Sequence, residues 1–274
     1  MNLKDPNATD RAIQPIEDAE KGAIEPGWSL SPRALAALPS YRTSEGPEAA
    51  LLVDTFSPVA EQYRAVKAKL EHLARERGKP VRSLVVTSPG SGDGKTLTAL
   101  NLALVLAQDE TRSVLMIDAD LRKHGIAPFF AEHAKAGLVE ALAGKTPLAA
   151  AMFRPEGSRL TILPAGGMVE NPADLLGSVR MQRLMAHLSQ TFDHIILDTP
   201  PVGLFIEADL LAAFADGCLV VVRAESTPRR LAERCVETMK KNNLLGLVMN
   251  DVRSTPFERY YQYDSYYHKK REGR

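Results

Sequence analysis

Short apolar runs rich in Val and Ile alternate with helical stretches along most of this chain, and that alternation most narrows its fold. The strand-like runs are 82–87 (RSLVVT), 113–118 (SVLMID), 160–164 (LTILP), 194–199 (HIILDT), 218–223 (CLVVVR) and 245–250 (LGLVMN). Helical stretches fall at 95–107, 178–191, 206–214 and 228–242, with weaker helices across 125–153. Continuous apolar strands are those buried on both faces. Strand–helix alternation predicts an α/β fold with a doubly wound, mostly parallel sheet, and ligands bind such sheets at the carboxyl ends of the strands.

Ahead of the first strand, residues 59–76 place Val59, Tyr63, Val66, Leu70 and Leu73 on one helical stripe. Residues 1–56 mix Pro, Gly, Ser and charge without a period and read as a mostly unstructured arm, with short helical pieces near 33–38 and 15–21. The domain is expected over 57–256, followed by a flexible tail at 257–274. Lys+Arg and Asp+Glu are both 34, which excludes a protein-wide basic field for nucleic acid. Cys218 and Cys235 fit neither a disulfide framework nor a CxxC site. The amino terminus is too charged for a signal peptide, and no apolar run reaches the roughly twenty residues of a membrane span. The expectation is a cytoplasmic protein.

Residues 83–98 read SLVVTSPGSGDGKTLT, a strand entering a Gly-rich turn that opens a helix. Backbone N–H groups in such a turn, with the helix N-terminus, cradle phosphate. The predicted phosphate-binding residues are Gly90, Ser91, Gly92, Asp93, Gly94, Lys95, Thr96 and Leu97. Lys95 supplies a cation toward the outer phosphates, and Thr96 a hydroxyl for magnesium. Pro89 stands where the standard spacing has glycine.

Two strands end in acids. One gives Asp118-Ala119-Asp120-Leu121-Arg122, the other Asp198-Thr199-Pro200-Pro201. In a parallel sheet both share an edge with the phosphate loop. A carboxylate there can hold magnesium, and a second can accept the proton of an attacking hydroxyl. Arg122 either stabilises phosphoryl charge or forms a salt bridge. Asn250 ends the last strand and either reads an adenine edge or starts a turn.

Aromatics are 6% of the chain, yet five of its seven tyrosines fall in the last fifteen residues: Tyr260, Tyr261, Tyr263, Tyr266 and Tyr267. From 257 onward the tail has five basic and three acidic residues. Such a segment suits successive phosphorylation, adhesive binding, or stacking on single-stranded nucleic acid.

The phosphate loop, IDADLR (117–122) and ILDTPP (196–201) together resemble the bacterial tyrosine kinases of capsule and exopolysaccharide synthesis. NPADLL (171–176) and EQYRAVK (61–67) resemble further family segments, so the resemblance spans about 57–267. It implies a P-loop NTPase sheet using ATP and Mg2+, with Lys95 and Thr96 on phosphate and metal. It implies Asp118 as proton acceptor or metal ligand, Asp120 in support, Asp198 on magnesium, and the tail tyrosines as acceptors. Glu61, Arg64 and Lys67 would face a neighbouring subunit of a homo-oligomer, a ring being one form; Lys67 stands where the family has arginine, which alone pairs bidentately. The stand-alone form implies a membrane-bound activator resembling a polysaccharide chain-length regulator, holding the protein at the inner membrane, and a phosphotyrosine phosphatase. The nearest alternative is a MinD/ParA-like ATPase switch, which carries an added lysine where this chain has Gly90. A third is a non-catalytic nucleotide-binding regulator. No nucleic-acid partner is expected.

Overall fold

A computed structural model describes residues 25–44, 57–131 and 134–252. The described part of the chain starts with a short helix α1 (Pro32–Ala36), strand β1 (Ser40–Tyr41) and the long helix α2 (Pro58–Arg77). It continues through β2 (Ser83–Thr87), α3 (Lys95–Leu106), β3 (Val114–Asp118), α4 (Leu138–Leu142), β4 (Arg154–Pro155) and β5 (Thr161–Leu163). It closes with α5 (Pro172–Leu176), α6 (Val179–Thr191), β6 (His194–Asp198), α7 (Glu207–Ala212), β7 (Gly217–Arg223), α8 (Arg229–Lys240) and β8 (Leu244–Asn250). Six strands form one parallel sheet in the order β5-β3-β6-β2-β7-β8.

Both sheet faces are covered. Leu84, Val86, Met116, Ile196 and Val221 point to one side and pack against α2 and α3. Val85, Leu115, Ile117, Ile195, Leu197 and Val220 point to the other and meet α4, α6, α7 and α8. This is the period-two alternation of a strand, with apolar residues on both faces. Each fully buried aliphatic side chain contributes roughly 1.5–3 kcal/mol. α2 starts where Ser57 Oγ accepts a hydrogen bond from Ala60 N at 3.1 Å and stops at Gly78, whose φ is 63°.

Strand and helix positions agree with the periodicity to within about two residues at most boundaries. The stretch 125–153 is more broken than expected: it holds 3-10 turns at Ala127–Phe129 and Leu148–Ala151 around the five-residue α4. The larger correction concerns the arm. Residues 25–44 pack on the domain instead of standing free. Trp28 is 3% exposed in the core beside Leu138 and Leu184. Its indole N–H donates to Ala141 O at 3.4 Å, and its carbonyl accepts from His187 Nε2 at 2.8 Å. β1 pairs with β4. Trp28 anchors the segment together with Leu30, Leu35 and Leu38, which pack against the same core, and windowed composition averages these residues away. The other helical piece expected near 15–21, and the tail at 257–274, lie outside the described residues.

Two matching clasps lie at the amino edge of the sheet. Ser83 N and Oγ donate to Asp216 Oδ2 at 3.0 and 2.9 Å, while Asp216 N donates to Ser83 Oγ at 2.9 Å. Ser113 N and Oγ donate to Asp193 Oδ2, both at 2.9 Å, while Asp193 N donates to Ser113 Oγ at 3.1 Å. The first ties the start of β2 to that of β7, the second the start of β3 to that of β6.

Candidate active site

The phosphate loop lies between β2 and α3, as predicted. Gly92 and Gly94 have φ of 87° and 91°, the left-handed region that favours glycine. A Cβ on Gly94 would also stand 1.9 Å from Asn250 Nδ2. Asp93 ties the loop together: its carboxylate accepts from Gly90 N and from Thr227 Oγ1, each at 2.8 Å. Asn250 Nδ2 donates to Asp93 O at 3.0 Å. Here Asn250 braces the loop backbone from the end of β8.

Strand order sets the rest of the site. β6 lies between β2 and β3, so Asp198 pairs in register with Val86 on one side and Asp118 on the other. Lys95, the first residue of α3, is 8% exposed and points at the carboxylates. Its Nζ lies 2.7 Å from Asp120 Oδ2 and 3.5 Å from Asp198 Oδ1. Asp118 accepts from Asp120 N at 3.1 Å and Ile126 N at 3.0 Å, which fixes its carboxyl plane. Lys95, Thr96, Asp118, Asp120 and Asp198 therefore converge.

Three buried carboxyls around one ammonium leave excess negative charge. Burial pushes the Asp118 pKa upward, and the neighbouring Asp198 pushes it further. Burial also raises Asp198, opposed by Lys95. For Lys95 burial acts downward, but Asp198 and Asp120 outweigh it and the pKa is raised.

The residues fit a divalent cation. Asp198 Oδ2 is buried with no hydrogen-bond partner among the described residues. Gly125 keeps space open beside it: a Cβ there would stand 2.7 Å from Thr96 Oγ1 and 3.2 Å from Asp198 Oδ2. Among the described residues no three acidic, His or Cys side chains form an all-protein metal cage. Magnesium needs only one or two carboxylates, its other positions going to water and phosphate.

Arg122 takes the salt-bridge alternative. Its Nη2 lies 2.6 Å and its Nε 2.8 Å from Glu207 Oε1, and its guanidinium sits 4.2 Å over the Phe205 ring. Glu207 is fully buried, so Arg122 is its counter-charge. Glu61, Arg64 and Lys67 lie outside this site on α2, where Arg64 pairs with Glu61 and also reaches Gln108 Oε1 at 3.4 Å. The tail tyrosines lie outside the described residues.

Sequence reasoning missed Gly125, Thr227 and Glu207. Gly125 looks like any turn glycine and Glu207 like an ordinary acid at a helix start. Their roles appear only with partners from other parts of the chain.

Residues 82–244, more than half of the chain, match the AAA domain family. The chain is 34% identical over 206 residues to tyrosine-protein kinase YwqD of Bacillus subtilis (strain 168), covering 74% of this chain and 86% of that one. It is 30% identical over 213 residues to the succinoglycan biosynthesis transport protein ExoP of Rhizobium meliloti (strain 1021), covering 76% of this chain and 27% of that protein. The fold is similar to the crystal structure of the chimerical protein CapA2B2, with a TM-score of 0.69 and 26% identity over 79% of this chain and 96% of that one. With the phosphate loop and acidic strand ends meeting at one sheet edge, these similarities show that the chain belongs to the bacterial tyrosine-protein kinase family.

Proposed function

We propose that the protein is an ATP-dependent tyrosine autokinase that phosphorylates its own carboxyl-terminal tyrosines in trans and so regulates capsular or exopolysaccharide synthesis and export. The observation carrying this reading is the convergence of Lys95, Asp118, Asp120 and Asp198 beside the phosphate loop. The loop backbone cradles the phosphates, and Lys95 offsets their charge. Asp120 holds the ammonium in place. Asp198 and Thr96 would hold magnesium, which would supply positive charge toward the phosphate oxygens. Asp118, held beside Asp198 by its bonds from Asp120 N and Ile126 N, is the proton acceptor for the tyrosine hydroxyl.

Tyr260, Tyr261, Tyr263, Tyr266 and Tyr267 are the proposed acceptors, presented to a neighbouring copy. Each phosphate adds about −1.5 to −2 charges, so several reverse the sign of the tail and weaken its contact with an acidic neighbour. Glu61, Arg64 and Lys67 share one face of α2 and form the proposed contact between subunits. Among the described residues no helix is long and apolar enough to cross a membrane. The relative named for succinoglycan transport supports a membrane-bound polysaccharide chain-length regulator as the activating partner, with a phosphatase to reset the tail.

The test is to incubate the pure chain with magnesium and labelled ATP, alone and with the activator, and map the label. Phosphotyrosine at the tail, lost in Lys95→Met, is the expected result. ATP hydrolysis without phosphotyrosine in both conditions would sink the reading in favour of a switch ATPase.

A further inference from the structure

A small cavity of about 90 Å³ opens beside Asp118, and its walls are unlike the rest of the site. His124, Ile126, Phe130, Phe153 and Pro164 line it together with Asp118. Ile126, Phe130 and Phe153 are 1–3% exposed, and the two phenyl rings meet edge to face at 4.9 Å. The cavity is thus an apolar, aromatic slot with one carboxyl at its wall.

His124 is the anomaly in it. Its φ is 50°, a left-handed backbone uncommon for a non-glycine residue, and its N donates to Asp120 O at 2.9 Å. Its Nε2 is buried with no hydrogen-bond partner among the described residues. Strained backbones and unpaired buried polar groups are both costly, and they concentrate where function uses them.

The amino-terminal segment knits the slot together. Tyr41 stacks on Phe153 at 4.6 Å. Thr43 bridges Phe130, and Ala131 N donates to Arg42 O at 3.0 Å. On the other wall Arg154 N donates to Pro39 O at 2.9 Å and Glu156 N to Tyr41 O at 2.8 Å. Residues 39–44 therefore bond to both the 129–131 wall and the 153–156 wall.

We propose that this slot receives the phenol ring of the tyrosine to be phosphorylated, that His124 Nε2–H donates to its oxygen beside Asp118, and that residues 39–44 brace the slot and set its width. The proposal rests on the kinase reading and names its acceptor subsite. In the transfer the phenolic O–H bond breaks and its proton goes to Asp118. The oxygen bonds to the γ-phosphorus, the bond to the β–γ bridging oxygen breaks, and ADP leaves. Aromatic walls select tyrosine, because a serine side chain leaves them uncovered.

The test uses the full chain with magnesium–ATP and a synthetic peptide carrying one tyrosine. His124→Asn keeps a residue tolerant of positive φ but shortens the reach of its donor. It should raise the peptide KM about tenfold while leaving the nucleotide Kd unchanged. Tyr41→Ala, remote from the phosphate loop, should raise the peptide KM in the same way. In the unaltered chain, the peptide with phenylalanine in place of tyrosine should inhibit competitively against peptide and not against ATP, which needs no variant to fold. Phosphotyrosine formed with an unchanged peptide KM in His124→Asn, or no competition by the phenylalanine peptide, overturns the slot and leaves the kinase reading standing. A nucleotide Kd that weakens as much as the peptide KM also overturns it. No phosphotyrosine from the unaltered chain overturns both.

Discussion

Gly125 shows how much one missing methyl group can matter. It opens the space between Thr96 Oγ1 and Asp198 Oδ2, so Gly125→Ala should crowd the cation position without breaking any hydrogen bond of the fold. Phosphotyrosine formation should fall at least about tenfold, with a higher magnesium requirement read from a metal titration of nucleotide binding. Asp118→Asn keeps the shape and removes the proposed proton acceptor, and should cost roughly 10²–10⁴ in turnover at little change in nucleotide Kd. Arg122→Ala leaves the fully buried Glu207 without its counter-charge; the expected result is a lower thermal midpoint, from a loss on the order of 3–5 kcal/mol. Lys95, Asp118 and Asp198 were legible in the sequence because chain-local motifs carry them. Gly125 and Glu207 were not, because Glu207 answers to an arginine 85 positions away and Gly125 to side chains of two other elements.

At the scale of elements, the Ser–Asp clasps decide how strand ends are held. Asp216 accepts from Arg82 N, Ser83 N and Ser83 Oγ and pairs with Lys79 at 3.0 Å. Burial acts upward on its pKa, but the bonds from Ser83 and the Lys79 charge prevail and hold it below the ordinary carboxylate value. A folded-state pKa below the unfolded one stabilises the fold above the unfolded value of about 3.9, and that stability is lost as pH falls through the folded value. Asp216→Asn should therefore lower stability at neutral pH by about 1–3 kcal/mol, with the gap narrowing in acid. Urea unfolding at neutral and acid pH checks this. The strands themselves were plain in the sequence, since short continuous apolar runs such as Leu84–Val86, Val114–Ile117 and Cys218–Val222 leave little choice. The clasps were not, because a serine and an aspartate at separate strand starts carry no joint signal.

For the whole molecule, the amino-terminal segment is the chief departure from what composition implied. Trp28 fills the core on the α4–α6 side, and residues 39–44 join two walls beside the active site. Trp28→Ala should cost about 3–5 kcal/mol, seen as a large fall in the thermal midpoint. A domain cut to start at Ser57 should lose the same stabilisation, while the phosphate loop, built from β2, α3, Thr227 and Asn250, should still bind nucleotide. Calorimetry and nucleotide titration on the shortened chain separate the two effects.

By itself the sequence determined which segments become strands and helices, that the sheet is parallel and covered on both faces, and that a phosphate loop and two acidic strand ends share one edge. Those are consequences of period and chain-local motif. Only the tertiary structure decided that β6 enters between β2 and β3, putting Asp118 and Asp198 side by side, and that Lys95 reaches both Asp120 and Asp198. It also decided that Arg122 pairs with Glu207, and that the amino-terminal segment becomes part of the domain through Trp28, the leucines beside it and the pairing of β1 with β4. The reason is that periodicity records whether a residue faces the interior. Which neighbour it meets there depends on contacts between segments far apart in the chain.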